Sequence, residues 1–319
     1  MKLSWIGCLK RVAARGERNE TTLHHLMTAG SSPPLLQASR ASRSSVNLTR
    51  VLQPAHTLRL RPRPEEETPA GTPAPADGAQ LLAWHGTTDR GMIRERNEDN
   101  FAILSFGSTI LLVVADGMGG HDAGEVASRI AMETVCSVVQ QASLGNTDMP
   151  SLVERAVHLA NRAVRSEGER RGSDMGTTLS VALLEDGVAY IANIGDSRVY
   201  WIENGSITQI TTDHSLVAKL VELGKISKEE ARNHPKSNLL YRTIGNSEDV
   251  KIDTFRVEME RGGTLLLCTD GLWGEVTDED LHRICTAEKD ITSACTRLVQ
   301  RANENGGKDN ITAVVVKVL

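Results

Sequence analysis

The chain has 319 residues, of which 39% are hydrophobic and 3% aromatic, and its formal net charge is −5 at pH 7. This length allows one large domain or two small ones, built on an aliphatic core. The acidic balance argues against a general nucleic-acid-binding surface. No stretch approaches the roughly 20 apolar residues of a membrane-spanning helix, so we expect no association with a membrane.

The first 80 residues differ in composition from the rest. Residues 1–64 hold eleven Lys and Arg against two Glu, and residues 61–77 are rich in Pro, Ala and Glu. Such a composition is typical of a segment that cannot bury enough apolar surface to fold. We predict a disordered, basic and Pro-rich tail over residues 1–80, favoured over a targeting peptide, and one folded domain over residues 81–319.

The five cysteines form no Cys-x-x-Cys pair and show no regular spacing. They stand at positions 8, 136, 268, 285 and 295. Small disulfide-stabilised domains carry regularly spaced, paired cysteines, and this chain does not. We therefore expect a reduced, cytoplasmic chain without a disulfide framework.

Apolar strands and amphipathic helices begin at about residue 81. Two strands are predicted first, at Asn100–Phe106 and Ile110–Ala115, separated by a Gly-Ser turn. Two helices follow, at Gly124–Gln141 and Ser151–Glu167, because apolar or small residues recur there along one face. We expect each of these helices to pack with that face against the core.

Three short strands separated by tight turns come next, at Thr178–Leu184, Val188–Asn193 and Arg198–Glu203. Turns this closely spaced favour antiparallel hairpins. Residues 212–246 interrupt the pattern with a mixed, polar segment that is partly helical, at Leu216–Leu223. Long irregular segments in compact domains are usually functional or mobile, so we predict an insertion here.

The C-terminal part again combines strands with helices. Strands are predicted at Lys251–Val257, Thr264–Cys268 and Ile311–Val318, and helices at Asp278–Cys285 and Ile291–Asn303. Two antiparallel sheets packed face to face, each covered by a helix pair, would bury all the apolar faces. We therefore predict an α+β fold, a four-layer α-β-β-α sandwich with one long insertion.

Three aspartates stand at the ends of predicted buried strands. Asp116 and Asp270 each follow such a strand, and Asp309 comes just before the last one. Charges are rarely buried unless they are paired or bound to metal. A cluster of carboxylates would select hard divalent cations such as Mg²⁺ or Mn²⁺. Two such ions about 3.5–4 Å apart can activate a water molecule and clamp a transferring phosphoryl group.

Nearby residues fit the same chemistry. Gly117 and Gly271 follow two of the aspartates, and a residue without a Cβ lets the backbone carbonyl approach a cation. Arg94 offers a planar guanidinium for phosphate oxygens. A single Asp-Gly pair is most often an ordinary turn. Three aspartates at strand ends, with Asp196 in a further Gly-Asp-Ser turn, instead favour a metal site.

Six short motifs resemble, in order and rough spacing, those of the metal-dependent Ser/Thr protein phosphatases, the protein phosphatase 2C family. The resemblance covers about residues 84–319, and its details are similar to the bacterial branch. The motifs are Arg94-x-x-Asn97-Glu98-Asp99, Asp116-Gly-Met-Gly-Gly-His121, Gly176-Thr-Thr178, Gly195-Asp-Ser-Arg198, Thr269-Asp-Gly-Leu-Trp273 and Asp309-Asn-Ile-Thr312.

The resemblance implies a set of metal ligands. Asp116 would bridge two Mg²⁺ or Mn²⁺ ions, and the carbonyl of Gly117 would bind one of them. Asp270 and Asp309 would hold the other. Asp196, together with Asp270, would hold a weaker third ion. A metal-bridging hydroxide would then attack phosphorus in line, without a covalent phosphoenzyme.

The resemblance also implies roles around the metals. Glu98 and Asp99 would act through metal-bound waters, Arg94 would bind the substrate phosphate, and Thr178 would lie near the third ion. Residues 212–246 would be a flap beside the site that influences substrate choice.

The implied partners are proteins phosphorylated on Ser or Thr. By analogy with bacterial signalling phosphatases, they would include a cognate Ser/Thr kinase. We expect the enzyme to be a monomer in the cytoplasm, with no nucleic-acid or membrane partner.

One position departs from the family pattern. Animal members usually carry His directly after the Asp-Gly, where it is proposed to protonate the leaving group, but this chain has Met118. Either a metal-bound water or a histidine from elsewhere would supply the proton. His121 is the nearest histidine in sequence, and we favour a structural role for it over a catalytic one.

Other functions were weighed against this one. Cys295-x₅-Arg301 matches the spacing of cysteine-dependent phosphatases, but Cys295 falls on the apolar face of a predicted helix, and we interpret it as core packing. A pseudophosphatase that only binds phosphoproteins would need a broken metal set. A two-metal nuclease is disfavoured by the acidic domain.

Overall fold

The computed structural model describes residues 56–59, 81–120, 122–142, 147–203 and 205–319. Within the predicted tail, residues 1–80, it describes one strand, His56–Arg59, and the rest of that range lies outside the described residues. The disorder of the tail and the start of the folded domain at residue 81 therefore stay predictions.

The described residues form twelve strands and seven helices. The strands are β1 His56–Arg59, β2 Leu81–Asp89, β3 Asp99–Phe106, β4 Thr109–Gly119, β5 Met175–Thr177, β6 Leu179–Glu185, β7 Val188–Ile194, β8 Arg198–Glu203, β9 Ser206–Gln209, β10 Asp253–Glu258, β11 Thr264–Cys268 and β12 Ile311–Val318. The helices are α1 Ala123–Gln141, α2 Met149–Arg171, α3 Leu216–Glu222, α4 Lys228–Arg232, α5 Asp270–Trp273, α6 Asp278–Ala287 and α7 Ile291–Glu304.

The strands form two sheets, and the described pairings are all antiparallel. The first sheet has the order β1-β2-β12-β11-β8-β9. The second has the order β10-β7-β6-β4-β3, and β5 pairs with the end of β4. Every neighbouring pair runs antiparallel, as the closely spaced turns predicted.

The sheets pack face to face around a shared aliphatic core. Leu112 of β4 and Ile191 of β7 meet Leu265 of β11 and Val314 of β12 in one buried cluster. On its other face, β4 contributes Leu111 and neighbours to a second cluster with α1 and α2. Burial on both faces explains why the centre of β4 is a continuous apolar run instead of an alternating pattern.

A third cluster lies between the first sheet and the helices α6 and α7. It includes Ile284 of α6, Leu298 of α7 and Val315 of β12, all almost fully buried. With α1 and α2 on the opposite side, the layers follow the order α-β-β-α, which confirms the predicted sandwich. None of the described helices is long and apolar enough to cross a membrane.

The structure corrects one feature next to the site. The sequence predicted that a strand ends before Asp116, but β4 continues to Gly119 because β5 pairs with it at Gly117–Gly119. The short strand β5 escaped sequence analysis because three residues are too few to show a period. Asp116 is therefore a residue within a strand, whereas Asp270 opens the short helix α5.

The segment 212–246 is an insertion between β9 and β10, as predicted. It contains α3 and α4, each begun by a serine side chain that accepts a backbone N–H, Ser215 for α3 and Ser227 for α4. An isolated bridge between Ser215 and Leu240 closes the segment on itself, and a second bridge, Thr177 with Ile244, joins it to the sandwich. That last bridge attaches its C-terminal end directly to β5, beside Gly117.

Candidate active site

The antiparallel register of the second sheet places two acidic residues opposite each other. Asp99 begins β3 and pairs with Asp116 of β4. Directly opposite residues on one face of a sheet have Cβ atoms about 4.5–5.5 Å apart, and like charges there repel. Asp99 is buried, and Asp116 is half-buried, so water screens this repulsion poorly.

The first sheet brings two more carboxylates to the same edge. Asp270 follows β11 after one residue and Asp309 comes shortly before β12, and these strands are antiparallel neighbours. The end of one strand therefore meets the start of the other. Thr269 and Thr312 join the two sheets here, because both hydroxyls donate to Asp99 Oδ2, at 2.8 and 2.7 Å.

Burial and mutual repulsion make the charged forms of these carboxylates costly. Burial raises the pKa of Asp99 to about 7, against the hydrogen bonds from Thr312 and Thr269. Burial and the charge of Asp309 raise the pKa of Asp270 to about 6. The pKa of Asp116 is raised well above its usual value by burial, then by its acidic neighbours, Asp99 first. The protein groups alone thus leave a cluster of negative charge without enough compensation.

Two oxygens of the cluster have no hydrogen-bond partner. Among the described side chains, Asp99 Oδ1 and Asp270 Oδ1 are buried and unpaired. A buried, unpaired carboxylate oxygen is unfavourable unless a cation or an ordered water binds it. An all-oxygen donor set with excess negative charge suits Mg²⁺ or Mn²⁺. The residues present therefore fit the metals that the sequence predicted.

The side chains do not form a closed ligand set by themselves. In the described ranges, no three His, Cys, Asp or Glu side chains meet the geometry of a ready metal site. Mg²⁺ usually keeps several waters and binds through only one or two carboxylates. Backbone carbonyls and waters would therefore complete any coordination shell here.

Gly117 allows the backbone to pass closely beside the cluster. A Cβ at this position would lie 2.1 Å from the carbonyl oxygen of Gly124 and 2.7 Å from that of Glu98. The Gly117 N–H donates to this Glu98 carbonyl at 3.2 Å. The Glu98 carboxylate lies against Gly124 in the first turn of α1, and burial raises its pKa, although Arg94 opposes the rise. Glu98 thus lies beside the aspartate cluster, and its role in catalysis stays a prediction.

Arg94 lies on an exposed loop at the edge of the cluster. Its Nη2 donates to Asp309 Oδ2 at 2.5 Å, and 47% of its side chain is exposed. The guanidinium thus provides the positive charge next to the carboxylates and remains open to solvent. The phosphate-binding role of Arg94 stays a prediction.

Asp196 approaches the cluster from the turn between β7 and β8. It is 5% exposed, and burial and then the charge of Asp270 raise its pKa. The turn is held by the Trp273 indole N–H, which donates to the Asp196 carbonyl at 2.9 Å. Gly195, at φ +102°, packs against Thr178, whose hydroxyl accepts the Asp116 N–H. The structure thus places Asp196 near Asp270 and Thr178 against the Asp116 backbone, while their roles at a third ion stay a prediction.

Sequence analysis missed residues that hold the site in place. Thr269, Thr312, Trp273 and Asn310 all belong to the quoted motifs, but their roles follow only from long-range hydrogen bonds. His214 is a further case: it is 1% exposed, and its Nδ1 accepts the Gly195 N–H at 3.0 Å. Motif membership was the available signal for the first four residues.

Met118 occupies the position after the Asp-Gly pair, where animal members of the family usually carry His. Met118 lies on β4 opposite Gly176 of β5 and carries no proton to transfer. His121, the nearest histidine in sequence, lies outside the described residues. Its role therefore stays a prediction.

Cys295 is core packing, as predicted. It is fully buried, its thiol donates to the His85 carbonyl, and burial raises the pKa of that thiol far above its usual value. Arg301 forms an ion pair with Asp280 at 3.0 Å. A buried, protonated thiol cannot act as a nucleophile, so this spacing does not mark a second active site.

Comparisons with known proteins agree with this geometry. The sequence model of the family described as Protein phosphatase 2C matches residues 93–315. Serine/threonine phosphatase stp of Listeria monocytogenes is 38% identical over 235 residues, which cover 72% of this chain and 93% of that relative. Serine/threonine protein phosphatase PstP of Mycobacterium tuberculosis is 35% identical over 241 residues, which cover 75% of this chain and 45% of that longer relative.

Solved structures show the same fold. The crystal structure of Serine/threonine phosphatase Stp1 from Staphylococcus aureus is similar with a TM-score of 0.70 and 32% identity, over 81% of this chain and 100% of that one. The catalytic domain of PstP, solved in complex with two manganese ions, is similar with a TM-score of 0.67 and 33% identity, over 75% and 99% of the two chains. The chain belongs to the protein phosphatase 2C family and is a metal-dependent Ser/Thr protein phosphatase.

Proposed function

We propose that this chain hydrolyses phosphoserine and phosphothreonine on proteins with two divalent cations, Mg²⁺ or Mn²⁺, held at Asp116, Asp270 and Asp309. The observation that carries the proposal is the buried carboxylate cluster with its two unpaired oxygens, on Asp99 and Asp270. The manganese-bound PstP domain supports the choice of metal.

The family resemblance suggests the ligand roles, and the positions of the side chains are compatible with them. Asp116, which lies opposite Asp99, would hold both ions, and the Gly117 carbonyl would add a backbone ligand to one of them. Asp270 and Asp309 would hold the other ion. Glu98 and Asp99 would act through waters. When bound, the ions supply an activated water for in-line attack on phosphorus and neutralise the charge that develops on the phosphoryl group.

A third, weaker ion site is proposed at Asp196 and Asp270. Burial and the charge of Asp270 are the two largest causes that raise the pKa of Asp196, so a cation between them would relieve an existing repulsion.

Arg94 binds the substrate phosphate in this proposal. Its guanidinium is partly exposed and is paired with Asp309 Oδ2. A cation that binds Asp309 competes for this oxygen and frees the guanidinium for phosphate, where two parallel hydrogen bonds fix orientation. Met118 leaves the proton for the leaving group to a water or to His121.

The partners proposed for the site are proteins phosphorylated on Ser or Thr, including a cognate Ser/Thr kinase. The relatives named as Ser/Thr phosphatases support the substrate class. The flap, residues 212–246, reaches β5 beside the metal ligands through Ile244, which favours an influence on substrate choice. A monomeric state and a cytoplasmic location stay predictions. The described cysteines, at positions 136, 268, 285 and 295, are buried and unpaired, and the reduced state of the chain also stays a prediction.

The proposal is tested by phosphate release from a phosphothreonine peptide with Mn²⁺, comparing the full chain with Asp116→Asn. We expect the variant to lose at least about 100-fold in kcat/KM, because several kcal/mol of charge stabilisation depend on the ions. EDTA should abolish the activity of the wild type, and Mn²⁺ should restore it. Asp122→Asn is the matched control, because Asp122 is exposed and makes only a 3.4 Å ion pair with Arg171.

The alternatives give different results in the same assay. A pseudophosphatase would bind the phosphopeptide without releasing phosphate, although Asp116, Asp270 and Asp309 are all present. Activity that survives chelation would refute the metal mechanism. Mn²⁺-dependent cleavage of DNA or RNA without phosphopeptide turnover would favour the nuclease.

A further inference from the structure

Asn310 is the residue through which the first sheet holds the loop that carries Arg94. We call residues 90–98 the Arg94 loop. The Asn310 side-chain amide donates to the carbonyls of Arg90 and Arg96, at 2.9 and 2.8 Å. Its Oδ1 accepts the backbone N–H of Glu98 at 2.8 Å. One buried side chain thus binds both ends of the loop.

The rest of the loop is anchored to the same short segment, residues 307–310. The Met92 N–H donates to the Gly307 carbonyl at 2.7 Å. Gly91 has φ +78°, and a Cβ there would lie 2.1 Å from the Asp309 carbonyl oxygen, so only glycine allows this approach. The loop is therefore fixed through its backbone, while the side chains of Ile93 and Arg94 are exposed.

The hydrogen-bonding groups of Asn310 explain why this residue type is needed. An asparagine side chain has two N–H donors and one carbonyl acceptor, and all three groups are used here. Asn310 is 5% exposed, so the three backbone groups have little access to water if the amide is removed. The middle of the Arg94 loop faces solvent, whereas Asn310 itself is buried directly before β12, so loss of the amide would release the loop and not the sheet edge.

We propose that Asn310 is a positioning residue that determines where Arg94 presents its guanidinium to the substrate phosphate. The inference rests on the proposed phosphate-binding role of Arg94 and adds a second residue to substrate recognition. Asn310 does not touch the phosphate itself in this proposal. It acts on Arg94 through the backbone of the loop, which it binds at Arg90, four residues before Arg94, and at Arg96, two residues after it.

A competing role, support of the metal ligand Asp309, is separable from this one. The contact between the two neighbours is the backbone N–H of Asn310, which donates to Asp309 Oδ1 at 2.8 Å. A change of the Asn310 side chain leaves this N–H in place. Loss of the side-chain amide should therefore displace Arg94 more than it disturbs the metals.

The test is a double-mutant cycle with Asn310→Ala and Arg94→Ala in the full chain, with p-nitrophenyl phosphate and a phosphothreonine peptide as substrates and Mn²⁺ present. We expect Asn310→Ala to raise KM and the inhibition constant of inorganic phosphate about tenfold, with kcat changed less than threefold. The double variant should be no worse than Arg94→Ala alone, because a displaced guanidinium has no further effect once it is absent.

Metal binding gives the second readout. We expect calorimetry to show Mn²⁺ affinity within threefold of the wild type for Asn310→Ala. The proposal is overturned if the effects of the two substitutions on kcat/KM multiply independently. It is also overturned if the Mn²⁺ affinity of Asn310→Ala falls tenfold, since Asn310 would then act on the metal ligand Asp309. An inactive wild type would instead refute the proposed function, so the two failures are distinguishable.

Asn161→Ala is the matched control. Asn161 is 1% exposed and makes the same three contacts with a different segment: its Oδ1 accepts the Gly245 N–H, and its amide donates to the Ser247 and Glu248 carbonyls. A similar loss of melting temperature is expected. The effects of Asn161→Ala and Arg94→Ala on kcat/KM should multiply, because Asn161 does not position Arg94. If Asn161→Ala instead had no further effect once Arg94 is replaced, the loss seen with Asn310→Ala would reflect general destabilisation, and the proposal would be overturned.

A milder variant covers the case in which Asn310→Ala does not fold. Asn310→Ser keeps a hydroxyl and leaves room for a water molecule, so some of the hydrogen bonds to the three backbone groups of the loop can be replaced. We expect a smaller rise in KM that Arg94→Ala again masks. An unchanged KM in a folded Asn310→Ser that has lost melting temperature would count against the proposal.

Discussion

At the scale of single residues, Asp99 shows how one carboxylate can serve both sheets. It belongs to β3 of the second sheet, yet its Oδ2 accepts hydroxyls from Thr269 and Thr312 of the first. Its Oδ1 has no partner among the described residues. One oxygen therefore joins the layers and the other remains available to a cation or its waters.

The requirement for a residue without a Cβ at Gly117 can be tested by substitution. Gly117→Ala should destabilise the protein by about 1–3 kcal/mol or more, because the added methyl would lie 2.1 Å from the Gly124 carbonyl oxygen. Activity should fall as well, since the displaced backbone would move Glu98 and the carbonyl proposed as a metal ligand. Urea unfolding and phosphopeptide turnover measure both effects.

The matched control for this substitution is Gly120→Ala, directly after the end of β4. A Cβ at Gly120 has open space around it, so the change in stability should stay within about 0.5 kcal/mol. Equal effects of the two substitutions would contradict the steric explanation.

Cys295→Ser should keep full Mn²⁺-dependent phosphatase activity. The thiol is buried against the His85 carbonyl and burial keeps it protonated, so it takes no part in the chemistry. A hydroxyl in this apolar site should cost about 1–3 kcal/mol of stability. Loss of activity in the folded variant, at a temperature well below its melting point, would show that the cysteine had been misjudged.

At the scale of elements, His214 connects the flap, to which it belongs, with the turn before β8. Its Nδ1 accepts the Gly195 N–H, and its Nε2 lies 3.1 Å from Asp253 Oδ2. Arg242, at the C-terminal end of the flap, donates to Asp253 Oδ1 at 2.7 Å. Since Nδ1 accepts, the neutral ring carries its proton on Nε2, which then donates to Asp253 and lies 2.8 Å from the positively charged Arg242 Nη1.

This arrangement makes a pH-dependent prediction. Burial lowers the pKa of His214 below 6.5; the nearby Arg242 lowers it further, and the carboxylates of Asp253 and Asp213 oppose this. Below pH 6.5 the unfolded chain takes up a proton that the folded chain resists, so the contribution of His214 to stability falls as pH falls. The stability difference between the wild type and His214→Gln should therefore shrink from pH 7.5 to 5.5, by at most about 1.4 kcal/mol per pH unit.

Urea unfolding at pH 5.5, 6.5 and 7.5 measures this difference. Glutamine does not titrate, so the comparison removes the contribution of the acidic cluster, which is common to both proteins. A difference that stays constant or grows as pH falls would contradict the assigned charge state of His214.

At the scale of the whole molecule, the site lies where both sheets present one edge. The six motifs lie within residues 94–312, inside the folded domain. We expect residues 81–319 alone to match the kcat/KM of the full chain. Their melting temperature should be lower, because β1 at His56–Arg59 pairs with β2 and its removal leaves that edge open.

A chain of residues 54–319 is the control for this truncation, because it keeps β1. It should regain the melting temperature of the full chain. A loss of activity in folded 81–319 would instead assign the preceding residues a part in catalysis.

Local patterns predicted most of the fold. The helical periods of α1, α2, α6 and α7 and the close turns around β6, β7 and β8 determine element type, because each repeats within a few residues. The α-β-β-α order followed from the need to bury every apolar face. The short strands β5 and β9 lacked such a period, and the continuation of β4 past Asp116 depends on its pairing with β5.

For the site, the sequence by itself determined the class of chemistry: acidic residues beside buried strands, with glycines and an arginine, favoured divalent cations, and the resemblance of six motifs to the protein phosphatase 2C family added the phosphatase activity. Only the tertiary structure decided which groups meet. Asp99 lies opposite Asp116 through strand register, and Asp270 meets Asp309 because β11 and β12 are antiparallel neighbours. Asn310 reaches back over 200 residues to the Arg94 loop. Such contacts join distant parts of the chain, and no local period or propensity encodes them.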